Sequence, residues 1–125
     1  MSKLIQCPTP AEYDAKVAEA KSAASKVFLL FTGAKDASGR SWCGDCTRAE
    51  PIIMKVLADA TDSVVLECPC ERTAYRAKDT FPYRLDKSIK LTCVPTLMSL
   101  DNPAIRLDDS QCQNEDLVRE LMLED

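Results

Sequence analysis

KVFLLFTGAKDASGRSWCGDCTRAEP, residues 26–51, decides how the chain is read. Its first part, KVFLLFT at 26–32, is a continuous apolar, β-prone run of strand length, which suits a central strand covered on both faces. A loop carrying Gly33 and Gly39 follows. From the cysteines onward, CGDCTRAEPIIMKVLADA reads as a helix with Pro51 inside it, eight residues after Cys43. That proline predicts a kink, because it removes one backbone donor and crowds the preceding turn. Cys43 therefore stands where strand and loop give way to a helix.

Two cysteines separated by two residues fit half of a zinc site, a structural staple or a redox couple. Cys68 and Cys70 offer a formal second half for zinc, but their spacing is CxC, they end a predicted buried strand, and the chain has no histidine. At that strand end they read as small hydrophobes. A staple is not needed: 125 residues bury a core of ordinary size without disulfides. The redox reading has a physical basis, since unpaired N–H groups and the positive dipole end of a helix stabilise a thiolate. At such positions a cysteine pKa falls from about 8.5 to roughly 3.5–7.5. Cys43 is expected to be ionised and exposed at the tip, with Cys46 one turn on, pointing inward to resolve the mixed disulfide. Trp42 reads as a core or lid aromatic and as a shield over that disulfide. Asp45 complements the dipole, and beside Cys46 it is also the candidate acceptor for the proton the resolving thiol must lose.

Composition narrows the setting. Apolar residues make up 46 % and charged residues 29 %, as in an ordinary globular protein, and a single domain is expected over 1–125. With 20 acidic and 16 basic residues and no block of like charge, nucleic acid is a poor partner. The longest strongly apolar run, VFLLF, is too short to cross a bilayer, and MSKLIQCPTP lacks the features of a secretory signal. These features predict a cytoplasmic protein with no membrane partner. Seven cysteines, an odd number, in a compartment that keeps thiols reduced favour metal binding or redox chemistry over stapling.

Elsewhere, KLIQC at 3–7 reads as a short first strand. In TPAE at 9–12, Thr9, Pro10 and Glu12 suggest a capping box opening a helix to about Ser25, with Tyr13, Val17 and Ala20 or Ala24 on its buried face. SVVLECP at 63–69 reads as a second buried strand, and 71–90 gives only a weak helical signal. LTCVPTLMSL at 91–100 is a loop with Pro95 leading into a strand from Thr96. AIRL at 104–107 suits an edge strand. A last helix is expected from about Gln111, capped by Ser110 with Gln113 three on, burying Leu117, Val118, Leu121 and Met122. The order of elements predicts an α/β sandwich with a central sheet.

WCxxC at a strand-to-helix junction, a proline eight residues after the first cysteine, and VPT at 94–96 together resemble the thioredoxin superfamily. The resemblance implies a thioredoxin fold, with a central mixed sheet flanked by helices and a cis-proline at Pro95 against the active site. FTGAKDASGRSWCGDCTRAEP at 31–51 is similar to a narrower group, the thioredoxin domain-containing protein 17 type. That likeness implies a cytosolic disulfide reductase acting on cystine, peptide and some protein disulfides, recharged by thioredoxin reductase with NADPH, with support of peroxide reduction as a further activity. It requires no bound cofactor or metal. Carried to matching positions, Cys43 is the nucleophile and Cys46 the resolving thiol, while Trp42, Gly44, Val94 and Pro95 border the substrate. Gly44 stands where the group usually has proline, Cys93 adds a third thiol near Pro95, and VFLLF lacks the buried acid of ordinary thioredoxins. The alternative from another class is a redox-switched binding or adaptor protein with little turnover. The loop at 33–41 is expected to narrow access for folded substrates.

Overall fold

The computed structural model describes residues 3–123, so residues 1, 2, 124 and 125 of the expected 1–125 domain lie outside the described residues. Five strands form one sheet: β1 (Leu4–Gln6), β2 (Lys26–Gly33), β3 (Ser63–Cys70), β4 (Thr96–Ser99) and β5 (Arg106–Asp108), in the spatial order β1-β3-β2-β4-β5. β1, β3 and β2 run parallel, whereas β4 is antiparallel to β2 and β5 antiparallel to β4. Helices α1 (Tyr13–Ala23), α2 (Gly44–Asp59), α3 (Arg72–Arg76), α4 (Pro82–Leu85) and α5 (Glu115–Leu123) flank it.

The apolar run of β2 explains its central place, because alternate side chains feed two separate cores. Val27, Leu29 and Phe31 enter a cluster with Ala20, Tyr83 and the cysteine side of β3, while Phe28 and Leu30 meet Ala49, Ile53, Val56 and Leu57 of α2 with Val118 and Met122 of α5. The buried residues of α2 recur at helical spacing, which fixes its roll over the sheet. Pro51 sits inside α2 on the exposed side, and the helix continues to Asp59.

Three local expectations change. Thr9 does not cap the backbone: its hydroxyl donates to the Glu12 carboxylate, because the Thr9 carbonyl already takes the Glu12 N–H in a 3₁₀ turn over Pro10–Glu12. The edge strand starts at Arg106, since Ser99 N–H donates to the Ile105 carbonyl and closes the turn before it. The expected helix from Gln111 is split into a 3₁₀ turn (Asp109–Gln113) and α5. Two cap-forming residues compete there. Asp108 and Gln111 make a reciprocal capping box for the turn, and Asn114 Oδ1 accepts the Leu117 N–H to open α5. Of the four apolar residues expected to be buried, Val118 and Met122 are, while Leu117 and Leu121 are partly covered.

The weak segment at 71–90 resolves into α3 and α4 around an aromatic cluster. Tyr83 meets Phe31, Phe81 and Tyr13 edge-on at centroid distances of 5.0, 5.4 and 5.7 Å. Arg84 lies 4.1 Å above the Tyr75 ring and donates to the Tyr75 carbonyl.

Candidate active site

Cys43 is the N-cap of α2, with Gly44 the first helical residue. Cys46 N–H donates to Cys43 Sγ at 3.2 Å, so an otherwise unpaired donor of the first turn is aimed at that sulfur. The Cys43 thiol lies 3.7 Å from the Val94 carbonyl, and the Val94–Pro95 peptide bond is cis. Contrary to expectation, Cys43 is only 9 % exposed. The close approach of Gly33 on one side and of Val94 on the other leaves the sulfur little solvent.

Cys46 is buried, and its Sγ accepts the Gly33 N–H at 3.3 Å. Burial, and next its hydrogen bond with Cys43, push the Cys46 thiol far above its ordinary pKa. Trp42 is fixed at both ends: its indole N–H donates to the Cys70 carbonyl at 2.8 Å, and its ring packs on Tyr75 at 5.4 Å. Gly44 is exposed, with Arg48 the side chain nearest to where a Cβ would stand.

Asp45 turns outward. Its carboxylate receives hydrogen bonds from the Arg48 guanidinium and, at 3.2 Å, from Gln113. The Asp109 carboxyl also lies against it; that hydrogen bond, and then Arg48, hold Asp45 below the usual carboxylate range and raise Asp109. The Cys46 sulfur has the Gly33 amide as its partner instead.

Two neighbours escaped the sequence reading. Ser41 accepts the Cys43 N–H at 3.1 Å and donates to the Gly33 carbonyl at 2.8 Å, tying loop, strand and helix tip together. A serine two residues before a helix-capping cysteine was the available signal. Glu67, 7 % exposed, is a buried acid on β3 directly across from Leu30 of β2, and Gln6 donates to it at 2.7 Å. It lines an open cavity of ≈ 450 Å³ with Thr32, Gly33 and Lys35. One acid interrupting the apolar run SVVLECPC was its signal.

The loop between β2 and α2 is tightly closed. Asp36 accepts from Ser38 N–H, Ser38 hydroxyl and Arg40 N–H at 2.9, 2.6 and 3.1 Å, Gly39 takes a φ of +85°, and Lys35 pairs with Glu50 of α2 at 2.8 Å. The Ser38 hydroxyl above all, then the Arg40 and Ser38 N–H groups, hold the Asp36 carboxyl below its ordinary pKa. A depressed folded-state pKa contributes stability above the unfolded value of about 3.9 and loses it as pH falls through the lower folded one. The protection of the Ser38 and Arg40 amides, taken relative to intrinsic exchange at each pH, should therefore be lower at pH 2 than at pH 6. In Asp36→Ala protection should be low at both, and unchanged protection in that variant would remove Asp36 from this role.

All seven cysteines are free thiols, and among the described residues no group of three or more His, Cys, Asp or Glu is placed to hold a metal ion. No helix among the described residues is long and apolar enough to cross a membrane.

A mixed sheet with α2 springing from WCGDC and a cis-proline loop against its tip define a thioredoxin-fold protein. A poplar thioredoxin h superimposes with a TM-score of 0.64 over 95 % of this chain and 92 % of that one, at 17 % identity. More narrowly, residues 8–125 match the family described as thioredoxin domain-containing protein 17-like, thioredoxin domain. Thioredoxin domain-containing protein 17 of Epinephelus coioides is 39 % identical over 100 residues, covering 79 % of each chain, and that of Homo sapiens is 37 % identical over the same share. The chain belongs to the thioredoxin domain-containing protein 17-like family, whose general chemistry is thiol–disulfide exchange.

Proposed function

We propose that this protein is a cytoplasmic dithiol–disulfide reductase acting on cystine, peptide and protein disulfides. Its electrons come from NADPH through thioredoxin reductase or an equivalent donor, and peroxide reduction is a further activity of the same dithiol. The observation that carries the reading is the pairing of Cys43 and Cys46 at the start of α2, where the N–H of one residue points at the sulfur of the other.

In the reductive direction Cys43 attacks one sulfur of the substrate disulfide. The substrate S–S bond breaks, one thiol leaves, and a mixed disulfide remains on Cys43. Cys46 then attacks Cys43 Sγ and releases the second thiol, leaving a Cys43–Cys46 disulfide. Two electrons have passed to the substrate, and the NADPH-linked donor returns two electrons and two protons. The Val94 carbonyl lies 3.7 Å from the Cys43 sulfur, and Trp42, Gly44, Val94 and Pro95 are the proposed border of the substrate. Because Cys46 is buried and its pKa is raised, it stays protonated through the first step and needs a proton acceptor in the second.

Asp45 is the proposed acceptor, on the condition that its carboxylate leaves Arg48 and Gln113 when substrate binds. Asp45→Asn is then expected to slow release of the second thiol by roughly tenfold or more, with initial attack little changed. Stopped-flow traces showing attack slowed and release untouched would leave Asp45 as a residue that steadies the first turn.

The deciding assay is NADPH consumption with thioredoxin reductase, and separately with a glutathione-linked system, against cystine and a protein disulfide such as insulin. Turnover with either donor supports a reductase. No turnover with both, alongside a partner bound in only one redox state, would replace it by the adaptor reading. The loop at 33–41, pinned to α2 through Lys35 and Glu50, is proposed to favour small substrates. Shortening it should raise insulin turnover relative to cystine, and an unchanged ratio would remove that role.

A further inference from the structure

Five of the seven thiols have no part in that cycle, and two of them stand side by side in the core. β1 and β3 are parallel neighbours with Gln6 opposite Glu67, and the Cys7 N–H donates to the Glu67 carbonyl at 2.8 Å. Cys7 directly follows the end of β1, and Cys68 is the next residue of β3. Side chains alternate across a sheet, and Gln6 bonds Glu67 on one face, so Cys7 and Cys68 project together from the other. Both are 0 % exposed, and both belong to the cluster that holds Phe31 and Tyr83. Adjacent strands lie about 4.7–4.9 Å apart, within the Cα separation of roughly 4.4–6.8 Å that a disulfide spans.

The surroundings separate the two sulfurs chemically. The neighbouring Cys68 thiol above all lowers Cys7, the neighbouring Cys7 above all raises Cys68, and burial raises both. The Tyr83 hydroxyl, 3.6 Å from Cys7 Sγ, supplies a second donor. As a thiol, Cys7 can instead donate to the Thr9 carbonyl at 3.3 Å. The Tyr83 hydroxyl faces Cys7 Sγ, whereas Cys68 Sγ donates to the Leu66 carbonyl at 3.9 Å, so Cys7 is the nucleophile of the two.

We propose that Cys7 and Cys68 form a second redox-active dithiol, separate from Cys43 and Cys46, which a hydroperoxide closes to a cross-strand disulfide. Cys7 Sγ attacks one peroxide oxygen, the O–O bond breaks, and the departing oxygen leaves as water, with Cys7 as a sulfenic acid. Cys68 Sγ then attacks Cys7 Sγ and expels a second water. One hydrogen peroxide and two thiols become one disulfide and two waters, with two electrons passing from sulfur to oxygen. The oxidant class follows from burial. A molecule of two oxygens needs only a brief opening of β1, a three-residue edge strand, whereas a disulfide oxidant must bring its own bulk against a sulfur with no exposed surface.

The test uses the full chain carrying Cys43→Ser and Cys46→Ser, so that it is independent of the reductase reading. The protein is exposed to hydrogen peroxide or to glutathione disulfide, unfolded in guanidinium chloride containing N-ethylmaleimide so that every free thiol is blocked, and its peptides are mapped by mass spectrometry. Peroxide should reduce the five remaining thiols to three and yield a linked Cys7–Cys68 peptide that dithiothreitol reverses. Glutathione disulfide should leave that pair open. Cys93 is the one cysteine that is not buried, so oxidation governed by exposure alone would consume it first. The proposal requires the buried pair to be lost at least about tenfold faster. Adding Cys68→Ala should leave Cys7 as a sulfenic acid trapped by dimedone. Cys93 oxidised first with Cys7 and Cys68 both alkylated, or a linkage through Cys70, would overturn it, and the mapping of the double variant decides even if the alanine variant does not fold.

Discussion

Serine at position 43 is expected to lower disulfide turnover by on the order of 10³-fold or more, because no other sulfur is both at the helix start and against the Val94 carbonyl. Serine at position 46 should give a different defect. Attack by Cys43 survives, release does not, and the substrate stays attached as a mixed disulfide visible by mass in non-reducing conditions. The contrast rests on depth: Cys46 is 2 % exposed, out of reach of a bulky substrate but one turn from Cys43. Comparable residual turnover in the two variants, with no adduct in either, would dissolve the division of labour.

Gly33→Ala is the second large effect. A Cβ at Gly33 would stand 2.8 Å from Cys43 Cβ, 2.8 Å from Ser41 Oγ and 2.9 Å from Trp42 Cε2. None of these is a free-swinging tip. Ser41 is bonded to Gly33 itself and to the Cys43 amide, Trp42 is held by the Cys70 carbonyl and Tyr75, and Cys43 Cβ is fixed by the start of α2. Overpacking of this kind costs about 1–3 kcal/mol, a fall in Tm of roughly 4–12 °C. Turnover should drop further than that loss of stability explains, since the same shift moves the carbon that carries the attacking sulfur and the amide that bonds Cys46. Gly44→Ala is the stability control, read by Tm alone, because its Cβ would meet only Arg48, at 3.5 Å. Turnover in Gly33→Ala equal to that of the unaltered chain would show that Gly33 has no part in setting the site.

Local signals were legible where one segment carries the whole message. VFLLF announces a strand buried on both faces without reference to any other residue, and WCGDC after it marks the helix start. Ser41 had a local signal, but the surroundings of Glu67 depend on pairing across long separations. Glu67 faces β2 only because β3 lies next to it, and Gln6 bonds it from 61 residues away, a neighbourhood that no local pattern contains. The same pairing brings Cys7 to Cys68. Cys43 looked exposed because a helix tip is usually wet, whereas here Gly33 and the Pro95 loop close over it. The C-terminal helix was misplaced for the opposite reason: Ser110 has the composition of a cap, but it lies inside the turn built by Asp108 and Gln111, and Asn114 opens α5 beyond it.

That late turn also sets a schedule for synthesis. Its Asp109 N–H holds the Pro95 carbonyl at 2.8 Å, and its Gln113 bonds both Asp45 and Arg48 of α2, so it braces the two halves of the site from one side. A ribosome adding about 5–20 residues per second reaches this turn roughly one to four seconds after Pro95. Throughout that interval every cysteine except Cys112 has been synthesised, while the turn that braces the site has not. Newborn molecules thus pass through a brief window in which the reactive cysteines exist before the walls that govern what they meet.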